Sequence, residues 1–208
     1  MSERVVLLHG VWLRGILMTG LARRLRAAGY DVEVLDYASV FGGPEIATAA
    51  LVERCRRRAG DERVHVVGHS LGGLVAIEAA RRTPGLVDGR IVCLGSPLRG
   101  SRAARALASR TATHWVTGRS SEILCSGVGG CVEGTGVGVI AGRMAFGLGS
   151  FVAGLPRPHD GTVAVDETRL DGIADHVEVE ATHTGLLFSE TAARQTIEFL
   201  RNGRFIRA

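Results

Sequence analysis

Six short apolar runs, separated by helix-like segments, are the feature that most limits what this chain can become. They are RVVLL (4–8), DVEVLDY (31–37), VHVVG (64–68), RIVCLG (90–95), VGVIAG (137–142) and HVEVEAT (176–182). RVVLL among them is a continuous apolar run of the kind that suits a strand buried on both faces of a parallel sheet. The stretches between them carry helical periodicity. Residues 16–28 place Leu17, Leu21, Leu25 and Ala28 on one stripe. Residues 44–58 open with Pro44 in the first turn. Residues 71–82 stop before Pro84, and 98–117 hold shorter helical patterns. A closing helix spans 189–201, with Ser189 as N-cap and Gly203 just past its end. Strand and helix in alternation imply an α/β fold, a parallel sheet flanked by helices and joined by right-handed crossovers. With 208 residues, 46% of them apolar, one domain over 1–208 is expected, with no repeat or linker.

Composition removes several function classes. The net charge is +4, and every one of the 25 basic residues is Arg. The arginines are scattered, apart from 23–24, 56–58 and 81–82, which fall on polar helix faces. No aromatic residues interleave with them, so no nucleic acid partner is expected. The most apolar stretch, 134–156, is broken by Arg143 and by glycine. It falls short of the roughly 18 apolar residues a membrane span needs. Cys55, Cys93, Cys125 and Cys131 form no CxxC pair and stand at no zinc-like spacing with histidine, so no metal is expected. The N-terminus, MSERVVLLHG, lacks the features of a secretory signal, so a cytoplasmic location with reduced thiols is expected. Whether Cys125 and Cys131 pair is left open, as is the oligomeric state.

In such sheets chemistry gathers where the strands end. The first run is followed by His9-Gly10-Val11-Trp12, the third by Gly68-His69-Ser70-Leu71-Gly72 and the fourth by Gly95-Ser96-Pro97. His159-Asp160-Gly161 follows the fifth at a distance, and Thr182-His183-Thr184 follows the sixth. GHSLGG is either a plain glycine-rich strand-to-helix turn or a turn that presents Ser70 as a nucleophile. The second reading explains the spacing. A sharp turn of this kind needs small flanking residues so that strand and helix can approach. It also sets Ser70 at a helix N-terminus, where free N–H groups favour negative charge. The Leu71 N–H then becomes one oxyanion donor, and the Val11 N–H, on the loop that Gly10 lets pass close, becomes the second. A serine needs a base to take its proton. His183 is the histidine that follows the last strand. His65 reads as structural, His9 as a brace for the oxyanion loop, and His159 as lining the mouth. Asp160 is the candidate acid, with Asp36, Asp166, Glu167 and Asp175 as rivals.

The segments VVLLHG, GHSLGG, GSPLRGS, HDGTVAV and THTGLL resemble those of the α/β-hydrolases, and within them the small bacterial lipases and esterases. The resemblance covers nearly the whole chain. It implies sheet order 2-1-3-4-5-6 without the two N-terminal antiparallel strands of the full fold. It leaves no room for a large cap between the fourth and fifth strands. It further implies a Ser70–His183–Asp160 mechanism, no cofactor, and a small-molecule acyl or lipid-like ester as substrate. A thioesterase or acyltransferase using the same three residues is the alternative. Trp12, Leu13 and Pro97 are substrate-pocket candidates, although Trp12 and Leu13 can equally be packing residues. The span 98–156 reads as a variable lid or glycine-rich segment that includes the fifth strand. Within it, 144–155 is either an acyl-binding flap or a loop delivering Asp160.

Overall fold

The computed structural model describes residues 3–57, 62–109, 113–146 and 154–207. Six parallel strands, β1 (Glu3–Leu8), β2 (Asp31–Leu35), β3 (Arg63–His69), β4 (Arg90–Leu94), β5 (Gly136–Gly142) and β6 (Asp175–Val179), form one sheet in the order 2-1-3-4-5-6. This is the expected order. The register aligns the carboxyl ends: Leu8 lies beside Leu35 and Gly68, Leu94 beside His69 and Ile140, and Gly142 beside Val179. All the strand-end loops singled out by the sequence therefore leave from one edge.

Six α-helices occur among the described residues: α1 (Thr19–Ala27), α2 (Gly43–Arg56), α3 (Leu71–Arg82), α4 (Arg102–Ala108), α5 (Ser121–Ser126) and α6 (Glu190–Asn202). The period-2 alternation of each strand divides the core in two. Val6 and Leu8 of β1 join Leu51 of α2 and Leu74 and Ile77 of α3 on one face. Val5 and Leu7 join Leu21 and Leu25 of α1 and Phe199 of α6 on the other. Each such side chain, fully buried, is worth about 1.5–3 kcal/mol. Gly138 in β5 serves this packing directly, because a Cβ there would lie 2.6 Å from the Phe199 ring. The Ser189 side chain accepts the Ala192 N–H, and Gly203 ends α6 in the left-handed conformation at φ 72°.

Several boundaries differ from the sequence expectation. The helix expected over 16–28 starts only at Thr19, preceded by a 3-10 turn over Gly15–Met18. Gly15 is pressed against Val34 and Asp36, and its N–H is taken by the Asp36 carboxylate, so the regular helix begins later. The second strand ends at Leu35 rather than Tyr37, because the Tyr37 N–H turns to His9 Nε2. The sixth ends at Val179 rather than 182, where Ala181 N–H closes a tight turn on the Val179 carbonyl. The pattern over 98–117 resolves into α4 and a 3-10 turn at His114–Val116, with residues 110–112 outside the described set. Position 58 of the expected 44–58 helix is outside it too, as are 147–153 of the 144–155 segment. Among the described residues no helix is long and apolar enough to cross a membrane. None of the four cysteines is in a disulfide.

Candidate active site

Ser70 sits at the junction of β3 and α3 with φ 53° and ψ −119°. A side chain at positive φ costs about 1–3 kcal/mol and persists only where its surroundings hold it. The surroundings are specific. A Cβ at Gly68 would lie 2.3 Å from the Gly72 carbonyl carbon, and one at Gly72 would lie 2.5 Å from the Leu8 carbonyl oxygen. Only glycine lets strand, turn and helix meet this closely. The Ser70 N–H is held by the Leu94 carbonyl at 2.8 Å, which ties the turn to β4. Leu71 opens the helix, so its N–H has no partner one turn earlier.

The loop after β1 lies against this turn. A Cβ at Gly10 would stand 3.0 Å from both Ser70 Cβ and His69 Nδ1. Val11 N–H has no acceptor among the described residues. The loop is braced from beneath. Buried His9 stacks on Tyr37 at 4.4 Å, places Nδ1 2.9 Å from the Gly10 carbonyl, and places Nε2 3.0 Å from Asp36 Oδ1. Tyr37 Oη donates to the His9 carbonyl at 2.6 Å. Trp12, at φ 59°, is the other non-glycine residue in the left-handed region among those described.

On the far side of Ser70 the structure pairs Asp160 with His183. His183 Nδ1 lies 2.7 Å from Asp160 Oδ2. The other carboxylate oxygen accepts the N–H groups of Thr162 and Val163 at 2.9 and 2.7 Å. Burial disfavours the charged carboxylate, but His183 and the Val163 and Thr162 N–H groups outweigh it and hold Asp160 below the usual range. The His183 N–H donates to the Asp160 carbonyl at 2.9 Å, so backbone and side chain are both tied. No hydrogen bond joins Ser70 Oγ to His183 in this conformation. Ser70's neighbour His69 makes the connection instead, with Nε2 2.9 Å from the His183 carbonyl and ring centroids 4.8 Å apart.

The rival acids are engaged elsewhere. Asp166 pairs with Arg102, and Glu167 accepts the N–H groups of Arg102 and Ala164. Asp175 takes the Phe205 N–H, and Asp36 takes His9, Arg14 and Gly15. His159 differs from expectation. It is buried and accepts the Gly161 N–H at 3.1 Å, bracing the acid-bearing turn rather than lining a mouth. His65 accepts the Arg90 N–H at the amino ends of the strands, a structural role.

Sequence reasoning missed two glycines that make the Asp160–His183 pair possible. Gly95, at φ 56°, would with a Cβ reach within 3.1 Å of Asp160 Oδ2 and 3.2 Å of His183 Nδ1. A Cβ on Gly142 would come within 2.8 Å of Asp160 Cβ. Both follow or end strands, which was the one sequence signal available. Of the pocket candidates, Trp12 and Leu13 line a cleft of about 230 Å³ with Tyr37, Val40 and Phe41. Trp12 also meets Phe41 and Trp115 edge-on, at 6.4 and 5.7 Å. Pro97 is buried in the turn after β4 and does not line this cleft. Among the described residues no group of three or more His, Cys, Asp or Glu side chains is arranged to hold a metal ion.

The alpha/beta hydrolase family matches residues 5–193 of the chain. No curated protein matches it. Among solved structures, a lipase of Bacillus licheniformis in propeptide form superposes at TM-score 0.77 with 18% identity, over 100% of this chain and 51% of that one. A metagenomic carboxyl esterase gives 0.68 and 14%, over 88% and 64%. A pyrethroid hydrolase from Sphingobium faniae gives 0.62 and 17%, over 97% and 98%. The chain thus spans about half the length of the first of these and nearly all of the third. At these identities the likeness is one of fold.

Proposed function

The chain belongs to the alpha/beta hydrolase family, and from that premise we propose that it is a serine hydrolase of carboxylic esters, with Ser70 as nucleophile, His183 as base and Asp160 as the acid that orients it. The observation that carries this reading is the 2.7 Å Asp160–His183 pair, delivered to the sheet edge where Ser70 stands on its strained turn. In this mechanism Ser70 Oγ attacks the ester carbonyl while His183 Nε2 takes its proton. Asp160 fixes the Nδ1–H tautomer and stabilises the imidazolium that forms. The Val11 and Leu71 N–H groups receive the oxyanion, a contribution worth about 10²–10³ in rate per donor. The alcohol leaves with the proton from His183. Water, activated by the same base, then cleaves the acyl-enzyme.

The aromatic group of Trp12, Phe41 and Trp115 beside the oxyanion loop favours an ester with an apolar acyl or alcohol part. All three are substantially exposed, at 49%, 77% and 58%. Large aromatic surfaces left open next to a reacting centre are characteristic of ligand-binding sites. The structural relatives include a lipase, a carboxyl esterase and a pyrethroid hydrolase, which agrees with ester chemistry. The test is hydrolysis of p-nitrophenyl esters from acetate to palmitate by wild type and by Ser70→Ala. Activity in the first and background in the second is expected. Equal rates in both sink the reading.

A further inference from the structure

His69 precedes the candidate nucleophile, and the proposed mechanism gives it no task. It is nonetheless among the most constrained side chains of the molecule. It is 1% exposed, and its Nε2 lies 2.9 Å from the His183 carbonyl. A carbonyl can only accept, so Nε2 carries the hydrogen and Nδ1 is a bare lone pair. Nδ1 is buried and has no partner, and a Cβ on Gly10 would come within 3.0 Å of it. A side chain in a fully buried place, with one nitrogen unsatisfied, is costly unless the other nitrogen does something specific. The specific thing is a bond to the backbone of the candidate base.

We infer that His69 is a positioning residue for His183: as a neutral Nε2–H donor it anchors the His183 carbonyl to the elbow, and so sets the imidazole against Ser70. The inference rests on the reading of Ser70 and His183 given above. The geometry supports it from both ends. His183 is held to the acid loop by its N–H and its Nδ1, and both bonds run to Asp160. Among the described residues the His69 bond is the hydrogen bond that ties that loop to β3, across 114 positions of sequence. His69 is attached to Ser70 by one peptide bond, so the link fixes the two halves of the candidate site relative to each other. A 1 Å misplacement of a reacting group can cost about 10²-fold.

The charge state matters as much as the bond. Burial above all, and then the neighbouring His183, push His69 down to about 3, while the bond to the His183 carbonyl and the charge of Asp160 oppose this, and His9 adds to the depression. His69 therefore stays neutral while His183 cycles through its imidazolium. A cation in its place, 4.8 Å from the His183 ring, would resist that protonation.

The test compares His69→Leu, which removes the donor, with His69→Gln, which offers an amide donor at similar reach. Three readouts are followed on the full chain: fluorophosphonate inactivation rate, kcat and KM for p-nitrophenyl butyrate, and the downfield proton resonance of His183 Nδ1–H in the bond to Asp160. His69→Leu is expected to lower kcat and the inactivation rate by about 10- to 100-fold, with KM within about twofold and the downfield resonance broadened or lost. His69→Gln is expected to recover most of the rate, and its pH–rate profile to superimpose on that of wild type after scaling, because His69 contributes no titration. Folded His69→Leu protein with wild-type rates overturns the inference, as does a wild-type profile carrying an extra ionisation that His69→Gln removes. If His69→Leu does not fold, His69→Gln and the wild-type ring nitrogens decide: a nitrogen spectrum showing the Nδ1–H tautomer at His69 also overturns it. Failure of the hydrolase reading looks different, because then wild type itself does not react with the fluorophosphonate, and the catalytic half of the inference falls with it.

Discussion

The two edges of the candidate site each hold a histidine–carboxylate pair, and the two pairs are built inside out with respect to each other. In His183–Asp160 the carboxylate is buried, with 1% of its side chain exposed, and the imidazole is partly open at 14%. In His9–Asp36 the imidazole is wholly buried and the carboxylate is 43% exposed. The same two side chains at nearly the same separation are thereby suited to different work. An imidazole that reaches the surface at the sheet edge can trade a proton with a bound molecule. An imidazole enclosed beneath Tyr37, with both nitrogens facing protein oxygens, can only hold its neighbours in place. Exposure separates the two pairs where residue type does not.

The sharpest way to break this contrast is to truncate each histidine in turn. His183→Ala should lower ester hydrolysis by roughly 10⁴-fold or more, as loss of a triad base does, while His9→Ala should cost about 10- to 100-fold through a misplaced loop. Initial rates with p-nitrophenyl butyrate measure both. Equal losses contradict the assignment.

Asp160→Asn comes next. Its rate loss should approach that of His183→Ala, roughly 10³- to 10⁴-fold, because the amide no longer fixes the Nδ1–H tautomer. It also carries a signature in stability. The carboxyl is held below its ordinary range in the folded chain. The stabilisation it gives is therefore complete above the unfolded value, about pH 4, and is lost as pH falls through the folded value. The difference in melting temperature between wild type and Asp160→Asn should be constant near neutrality and shrink below pH 4. A difference that grows on acidification contradicts the stated sign. Asp36→Asn, at the more exposed carboxylate, should change the hydrolysis rate far less.

Gly95→Ala probes the space between Asp160 and His183. The new methyl group would meet Leu186 Cδ1 at 2.8 Å in a backbone conformation that disfavours side chains. A stability loss of about 1–3 kcal/mol and roughly tenfold slower fluorophosphonate labelling are expected. Unchanged melting and labelling would show that the pair tolerates a side chain there. Phe41→Ala should have the smallest effect, reducing the preference for longer acyl chains by about two- to tenfold, the worth of one aromatic contact, with little change for acetate.

The strand-end loops were legible because they follow from patterns local to each segment, whereas the sheet order came with the resemblance to the α/β-hydrolases. VHVVG followed by GHSLGG and a helical stripe specifies a strand, a turn and a helix with no knowledge of the remainder. The order Ser70, Asp160, His183 pointed to a pairing that the structure contains as a 2.7 Å contact. What could not be read is what arises where two distant loops touch. Gly95 looks like any glycine after a strand until Asp160 and His183 arrive beside it. His69 looks like the variable position of its motif until the His183 carbonyl lies over it. The end of β2 was misjudged for the same reason: Tyr37 is an aromatic residue that reads as the end of the strand-like segment DVEVLDY, but its N–H is claimed by His9, 28 positions away.

The most direct test of the account is to trap the acyl-enzyme. Protein is mixed with p-nitrophenyl butyrate, quenched in acid within the first turnovers, digested and mapped by mass spectrometry. The account predicts a butyryl adduct on the peptide carrying GHSLGG, localised to Ser70, accumulating with a burst of p-nitrophenol and absent from Ser70→Ala. Hydrolysis that proceeds with no adduct on Ser70, or an adduct that persists at another residue when Ser70 is replaced, would contradict it.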